Sequence, residues 1–340
     1  MPYPHMRFLA LLLALVPALA GPGRAGAAPI ELKFSFFTSD RSIIYLDTIK
    51  PFVDAVNNEG RGLVHIQMYF SGAISRSQEQ QPQLVADGAA DLAIIVPGQS
   101  PERFGDTTVM QLPGIYRDSR EASLVYTNLV RQGALQGYGD FFVVGAFVSS
   151  GESINSRKYI GSIGDLKGLV IRTNNKIESL VLEKLGAIPV LMAINNTTEA
   201  LSRDKIDAAT APPSMLFEFG IGRVTTNHYM LQLGGAPTAL VMNREKFEGL
   251  PPQVQAIIAE YSGPWLAERS AAALAAADKK ILEEIEANPD RKVVYPSADD
   301  QQVADRAFAS TVDEWAALTP RNRDLLTLAT AEVRKLRAGN

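Results

Sequence analysis

The alternation packed into residues 169–211 most constrains what this chain can fold into. Leu169–Arg172 reads as a short apolar strand, Thr173-Asn174-Asn175 leads into a helix over Lys176–Leu185, and Gly186 stands where a helix C-cap favours glycine. Ile188–Met192 is a second strand, and Asn196-Thr197-Thr198-Glu199 has capping-box spacing for a helix through Asp204. Asp207–Ala211 is a third strand, closed by Pro212-Pro213. Strands alternating with helices in this way build sheets covered by helices, so the fold class is α/β.

The pattern also runs through the first part of the chain. Ile30–Phe37 is a strand ending in the polar cluster Thr38-Ser39-Asp40-Arg41, followed by a helix over Ile43–Asn58 and an alternating strand over Leu63–Phe70. Gln78–Gly88 is helical. Leu92–Val96 is continuously apolar, as a buried parallel strand is, and it ends at Pro97-Gly98, on the edge where α/β sheets bind ligands. A helix over Glu121–Gln136 and strands over Phe141–Ser149 and Ala239–Asn243 follow. Beyond them lie four helices: Pro252–Tyr261, Pro264–Ile285, Ala298–Ala316 and Arg321–Leu336. A length of 340 residues suggests two domains, and with no internal repeat or low-complexity linker the two lobes are expected to be interleaved.

Residues 1–27 carry the layout of a cleaved secretory signal peptide: Arg7 without an acid, an apolar run over Phe8–Ala20, and Ala25-Gly26-Ala27 before the expected cleavage site. The apolar run falls short of the roughly 20 residues a membrane span needs, and Pro17 interrupts it. The chain has no cysteine, which excludes disulfides, thiolate metal sites, a cysteine nucleophile and a lipid-anchored N-terminus. Periplasmic residence without a lipid anchor is the expectation. A net charge of −4 carries no footprint for nucleic acid, and three histidines, one of them His5, leave no basis for an all-histidine metal site. His65 and His228 stand far apart with no nucleophile motif beside either, so structural roles are expected for both.

Catalytic patterns are missing too. There is no phosphate loop, and the one GxGxxG match, Gly21 to Gly26, lies in the signal region with no strand before it. Ser149-Ser150-Gly151-Glu152-Ser153 fails the spacing of a nucleophile elbow. The carboxylate pairs Glu283/Glu284 and Asp299/Asp300 read as solvated surface. No catalytic residue, metal site or cofactor is predicted, and an exported α/β protein of this kind points to binding.

Asp165–Ala209, DLKGLVIRTNNKIESLVLEKLGAIPVLMAINNTTEALSRDKIDAA, resembles the core of the DctP-type solute receptors of TRAP (tripartite ATP-independent periplasmic) transporters. Leu240–Gln253 and Leu84–Ile94 are similar to two further segments of that family. The resemblance implies a two-lobe periplasmic-binding-protein-like fold with interleaved lobes and a long bracing helix. It divides the chain into residues 28–148 plus about 237–263 as lobe I, 149–236 plus about 286–340 as lobe II, and 264–285 as the brace. It further implies an organic-acid ligand and delivery to small and large integral-membrane subunits; with no heptad pattern a monomer is expected, and with no catalytic constellation no enzymatic activity.

In the family the arginine of the Leu169–Arg172 strand binds the ligand carboxylate, which here is Arg172. Physics gives an independent reason, because an arginine ending an apolar strand at a sheet edge is costly unless an anion meets its two-pronged donor. The chain departs from the family pattern at Glu152, where some members carry a second arginine and where a glutamate is expected to salt-bridge Arg172 or to bind a hydroxyl or ammonium of the ligand, and at Asn196, where a glutamate is common. Fewer fixed charges suggest one ligand carboxylate plus hydroxyl, keto or apolar groups, rather than a dicarboxylate held at both ends. Thr210, Phe37, Pro97 and Asn243 complete the candidate ligand contacts, with Phe36, Phe147 and Phe217 as further aromatic candidates otherwise destined for the core. The rival readings are an ABC-importer receptor, a sensory ligand-binding protein, and a secreted enzyme using Glu152 as base.

Overall fold

Leu92–Ile95 (β3) is apolar at every position because it is covered on both faces: Ala93 and Ile95 pack into one core cluster, Leu92 and Ile94 into another. The computed structural model describes residues 28–339 together with Met1; the signal-peptide expectation lies outside the described residues. Around β3 a five-stranded sheet forms from Ile30–Ser35 (β1), Val64–Tyr69 (β2), Phe141–Val148 (β4) and Pro237–Asn243 (β10), in the order β2-β1-β3-β10-β4. Strand β1 runs parallel to β2 and β3, whereas β10 is antiparallel to β3 and β4.

The second sheet has the order β11-β9-β5-β8-β6-β7. Its members are Ser153–Ser156 (β5), Val170–Thr173 (β6), Ile188–Leu191 (β7), Ala208–Ala211 (β8), Asn227–Tyr229 (β9) and Lys292–Val294 (β11). Strands β6, β7 and β8 are the parallel unit read from residues 169–211. Strands β5, β9 and β11 were not anticipated. Ser-Ile-Asn-Ser carries no hydropathic signal, yet β5 is wholly buried because its polar side chains are satisfied inside the sheet. Ser153 Oγ donates to Ala211 O at 3.0 Å, Ser156 Oγ to Asp207 O at 3.3 Å, and Asn155 Nδ2 to Ala211 O at 3.2 Å.

The chain passes between the sheets twice in this region, from β4 to β5 and from β9 to β10. The two passages lie side by side: Ser149 N donates to Ala236 O at 3.0 Å, and Ala236 N to Ser149 Oγ at 2.9 Å. The helix over Pro264–Ala287 packs on β4 and the Ser119–Arg131 helix toward one end and on the Pro213–Met215 turn and β11 toward the other, so it touches elements of both sheets. The last helix, Pro320–Ala338, differs from the assignment of residues 286–340 to the second lobe. Its Leu325, Ala329 and Val333 share a core cluster with Val125 and Leu129 beside the first sheet. Arg337 reinforces the contact with a two-pronged ion pair to Glu121, at 2.8 Å through both Nε and Nη2.

One helix start also differs. Asn196 makes no capping bond, because the Ile194–Asn196 turn already carries it into helical geometry, with φ −95° and ψ −8°. A capping residue needs an extended backbone to bring its side chain back over the first turn.

His228 is fully buried, with Nδ1 2.7 Å from Asn155 Oδ1 and Nε2 3.1 Å from Arg291 Nη1. Arginine only donates, so Nε2 accepts, Nδ1 carries the proton, and the ring is neutral. Burial, then the Arg291 charge, push its pKa down from 6.5 to about 4. The unfolded chain therefore takes up a proton below 6.5 that the folded chain refuses until about 4, so stability present above 6.5 is lost as pH falls through this window. Between pH 6.5 and 5 the loss should be about 2 kcal/mol, from 1.36 kcal/mol per unit. Other groups titrate in the same window, so the check is the difference in urea midpoint between wild type and His228→Gln across it; a difference that does not change with pH would contradict the assignment.

Candidate ligand-binding site

The carboxyl ends of β1, β3 and β4 in one sheet face those of β6 and β8 in the other, and a cavity lies between them. The first sheet contributes an apolar wall, with Phe36 and Phe37 following β1, Ile94 and Val96 ending β3, and Phe147 near the end of β4. Phe36 and Phe37 stack with ring centroids 6.2 Å apart. From the other side come Ile194, Pro212, Met215 and Phe219, and the long helix adds Leu274. Gln99 Nε2 to Asn174 O, 3.3 Å, and Ile43 N to Glu218 Oε2, 3.4 Å, are hydrogen bonds spanning the cleft.

The polar end of the cavity is built on β6. Arg172 pairs with Val190 of β7 and Ala209 of β8, so it stands in the middle of the parallel unit and is 1% exposed. Its three hydrogen bonds all go to neutral acceptors: Nε to Met192 O at 2.8 Å, Nη1 to Thr210 O at 2.8 Å, and Nη2 to Asn174 Oδ1 at 3.1 Å. A guanidinium has five N–H donors, so two remain. Burial lowers the pKa of Arg172 and the nearby Glu152 and Glu178 raise it; arginine keeps its charge throughout.

Two buried carboxyl groups accompany it. Glu178, in the first turn of the Lys176–Lys184 helix, accepts from Asn174 N at 3.0 Å, Asn175 Nδ2 at 2.5 Å and the Thr210 hydroxyl at 2.7 Å. Burial raises its pKa, but those donors, the Arg172 charge and the positive end of the helix favour the anion. Glu152, at the entry to β5, is 2% exposed and its Oε2 has no hydrogen-bond partner. Burial, then the Glu178 charge, push its pKa up to about 8 against the pull of Arg172 and Thr210. Of the two, Glu178 has the donors that favour an anion, and Glu152, with a bare Oε2 and a pKa of about 8, keeps its proton at neutral pH. Glu218, half-buried at the cavity wall, is raised to about 7 by desolvation, against the pull of the Ile43 backbone N–H.

The predicted contacts divide. Arg172, Glu152, Phe36, Phe37 and Phe147 line the cavity together. Thr210 stands behind them, using its carbonyl for Arg172 and its hydroxyl for Glu178. Asn196 is exposed and outside the lining, which its turn reaches through Ile194 instead. Pro97 lines a separate pocket with Phe104, Lys176 and Trp315, on the far side of the Asn174-Asn175 turn. Asn243 lies at the opposite sheet edge because β10 is antiparallel; its Nδ2 donates to Val85 O and Ala86 O, and its Oδ1 caps Lys246 N. Phe217 lies under the Arg291 guanidinium, 5.2 Å away, and also misses the cavity.

Sequence reasoning missed Glu178, Glu218, Asn174 and Phe219. Asn175-Lys176-Ile177-Glu178 does carry capping-box spacing, which would have marked the helix start but not the carboxylate's place beside Arg172.

A family model described as bacterial extracellular solute-binding protein, family 7 (DctP), matches residues 34–334. The chain belongs to this family. The C4-dicarboxylate-binding periplasmic protein DctP of Rhodobacter capsulatus is 26% identical over 72% of this chain and 73% of its own length. The 2,3-diketo-L-gulonate-binding periplasmic protein YiaO of Escherichia coli is 26% identical over 71% and 74%. A TRAP solute-binding protein from Rhodoferax ferrireducens, crystallised with copurified benzoate, superposes with a TM-score of 0.82 at 26% identity, covering 90% of this chain and 98% of that one. A marine metagenome TRAP protein specific for aromatic acid ligands gives 0.86 at 22% identity over 91% and 99%, a likeness of fold. This family-7 chain is thus a solute-binding protein with the two-lobe α/β fold, and among its described residues no helix is long and apolar enough to cross a membrane.

Proposed function

We propose that this family-7 protein is the periplasmic receptor of a TRAP transporter for a monocarboxylate with an apolar, ring-sized body. One observation carries the reading: Arg172 is the lone cationic side chain among the described residues lining a cavity whose other walls are mostly apolar. It has unspent donors suited to a carboxylate's two oxygens. A second ligand carboxylate would meet phenylalanines and Glu218, with no cation to offset its desolvation. The solved relative holding benzoate supports the same ligand class.

The two lobes hinge where the chain crosses between the sheets, and contacts the ligand makes only in the closed form shift the population toward closure. The closed monomer then docks on the small and large membrane subunits, without catalysis by the receptor itself. Thermal unfolding of the mature protein with benzoate, 3-hydroxybenzoate, mandelate and succinate tests the reading. A ligand at 100 times its dissociation constant adds about 2.7 kcal/mol, which for a chain of this size raises Tm by about 4 °C. The aromatic monocarboxylates should produce the shift. The largest shift from succinate, or none from any acid, would refute the proposal.

A further inference from the structure

The mechanism of carboxylate capture leaves one group unexplained: a second acid, Glu152, standing in the same cavity wall as the arginine that meets the ligand's anion. Its Oε2 is buried without a partner, whereas Glu178 behind it has three donors. An ionised Glu152 would place a bare carboxylate against an incoming one. A protonated Glu152 has a hydrogen to give, and the ligand's carboxylate is the acceptor that the cavity lacks when empty.

We infer that Glu152 receives the ligand as a neutral carboxylic acid, donating a hydrogen bond to a carboxylate oxygen while Arg172 takes up the charge, so that above neutral pH each binding event takes up a proton. The inference rests on the monocarboxylate reading and adds to it a specificity residue. A protonated Glu152 selects anions, and an ionised one would select ligands that donate. Among the described residues, the other charged or titratable groups lining the cavity are Arg172 on β6 and Glu218, and Glu178 stands outside the lining near Glu152 and Arg172. The first-sheet wall (Phe36, Phe37, Ile94, Val96, Phe147) contributes none.

The sign follows from linkage. Empty, Glu152 is held protonated up to about pH 8 by burial and the Glu178 charge. A bound anion beside it raises that value further. Affinity for benzoate, which stays ionised throughout, is therefore level with respect to Glu152 below about 8 and falls up to tenfold per pH unit above it. Glu218, raised to about 7, titrates earlier and serves as the internal control.

Titration calorimetry of the mature protein with benzoate, in two buffers of different ionisation enthalpy, reads the proton directly. At pH 8.5 the wild type should take up most of one proton per benzoate. Glu152→Gln should take up none and lose the fall in affinity above pH 8, while Glu218→Gln should keep both. Binding at pH 8.5 without proton uptake by the wild type, a measurement needing no variant, overturns the inference and leaves the monocarboxylate reading standing. So does uptake that persists in Glu152→Gln. Absence of binding by benzoate, 3-hydroxybenzoate and mandelate at pH 6.5 and 8.5 alike overturns both.

Discussion

Arg172→Ala should weaken benzoate binding on the order of 100-fold, the loss expected when one partner of a buried, hydrogen-bonded charge pair is truncated, at about 3 kcal/mol. The guanidinium cannot be replaced by a neighbour, since no other described lining residue is cationic. Its removal also strands Met192 O and Thr210 O, which now accept at 2.8 Å each, and leaves Glu152 and Glu178 without a cation. Part of the loss is therefore the cost of the groups left behind. Arg172→Lys separates the two contributions: it keeps the charge but not the planar fork, so its affinity should lie between those of the wild type and the alanine variant. Calorimetric titration with circular dichroism as a check on folding reads the result. A folded Arg172→Ala that binds benzoate within threefold of the wild type would remove Arg172 from the site.

Gly235→Ala should lower stability by about 2–3 kcal/mol, as overpacking against fixed atoms does, and Tm by about 4 °C. A Cβ at Gly235 would stand 2.2 Å from Ser149 O, a backbone atom of the neighbouring crossing, and 2.8 Å from Val148 Cγ1. The first approach is to backbone and no side-chain rotation relieves it, because Ser149 is tied to Ala236 through both its N–H and its hydroxyl. The two crossings must separate. Ser149 and Ala236 both line the cavity, so affinity for the carboxylate should fall as well. Differential scanning calorimetry is the check, and a Tm unchanged within a degree would show that the crossings yield freely.

Much of the architecture was legible in the residues themselves. The parallel strands announce their burial by continuous apolar runs, as at Leu92–Ile95, and the βαβ spacing over 169–211 places Arg172 on the carboxyl edge of a sheet. Strand β5 was illegible because Ser153, Asn155 and Ser156 are polar in composition and buried only through hydrogen bonds to partners about 50 residues away. Asn243 went astray for a different reason: which edge of the sheet a strand end occupies depends on its direction, and β10 runs opposite to its neighbours. Pro97 does follow β3 on the cavity edge, but its turn carries it past Val96 into the neighbouring pocket beside Asn175.

What the sequence by itself determined is the class of molecule: helix and strand periods, the absence of cysteine and catalytic spacing, and an arginine closing an apolar strand. Those properties are local, set by side-chain chemistry and by the geometry of one or two consecutive elements. Only the tertiary structure decided that Glu152, Arg172 and Glu178 share one buried cluster while a wall of phenylalanines from the other sheet completes the cavity. The reason is electrostatic as much as geometric. A carboxyl group's charge state depends on how far it is from water and from other charges, and those distances arise when two sheets, built from interleaved stretches of chain, close around a common space.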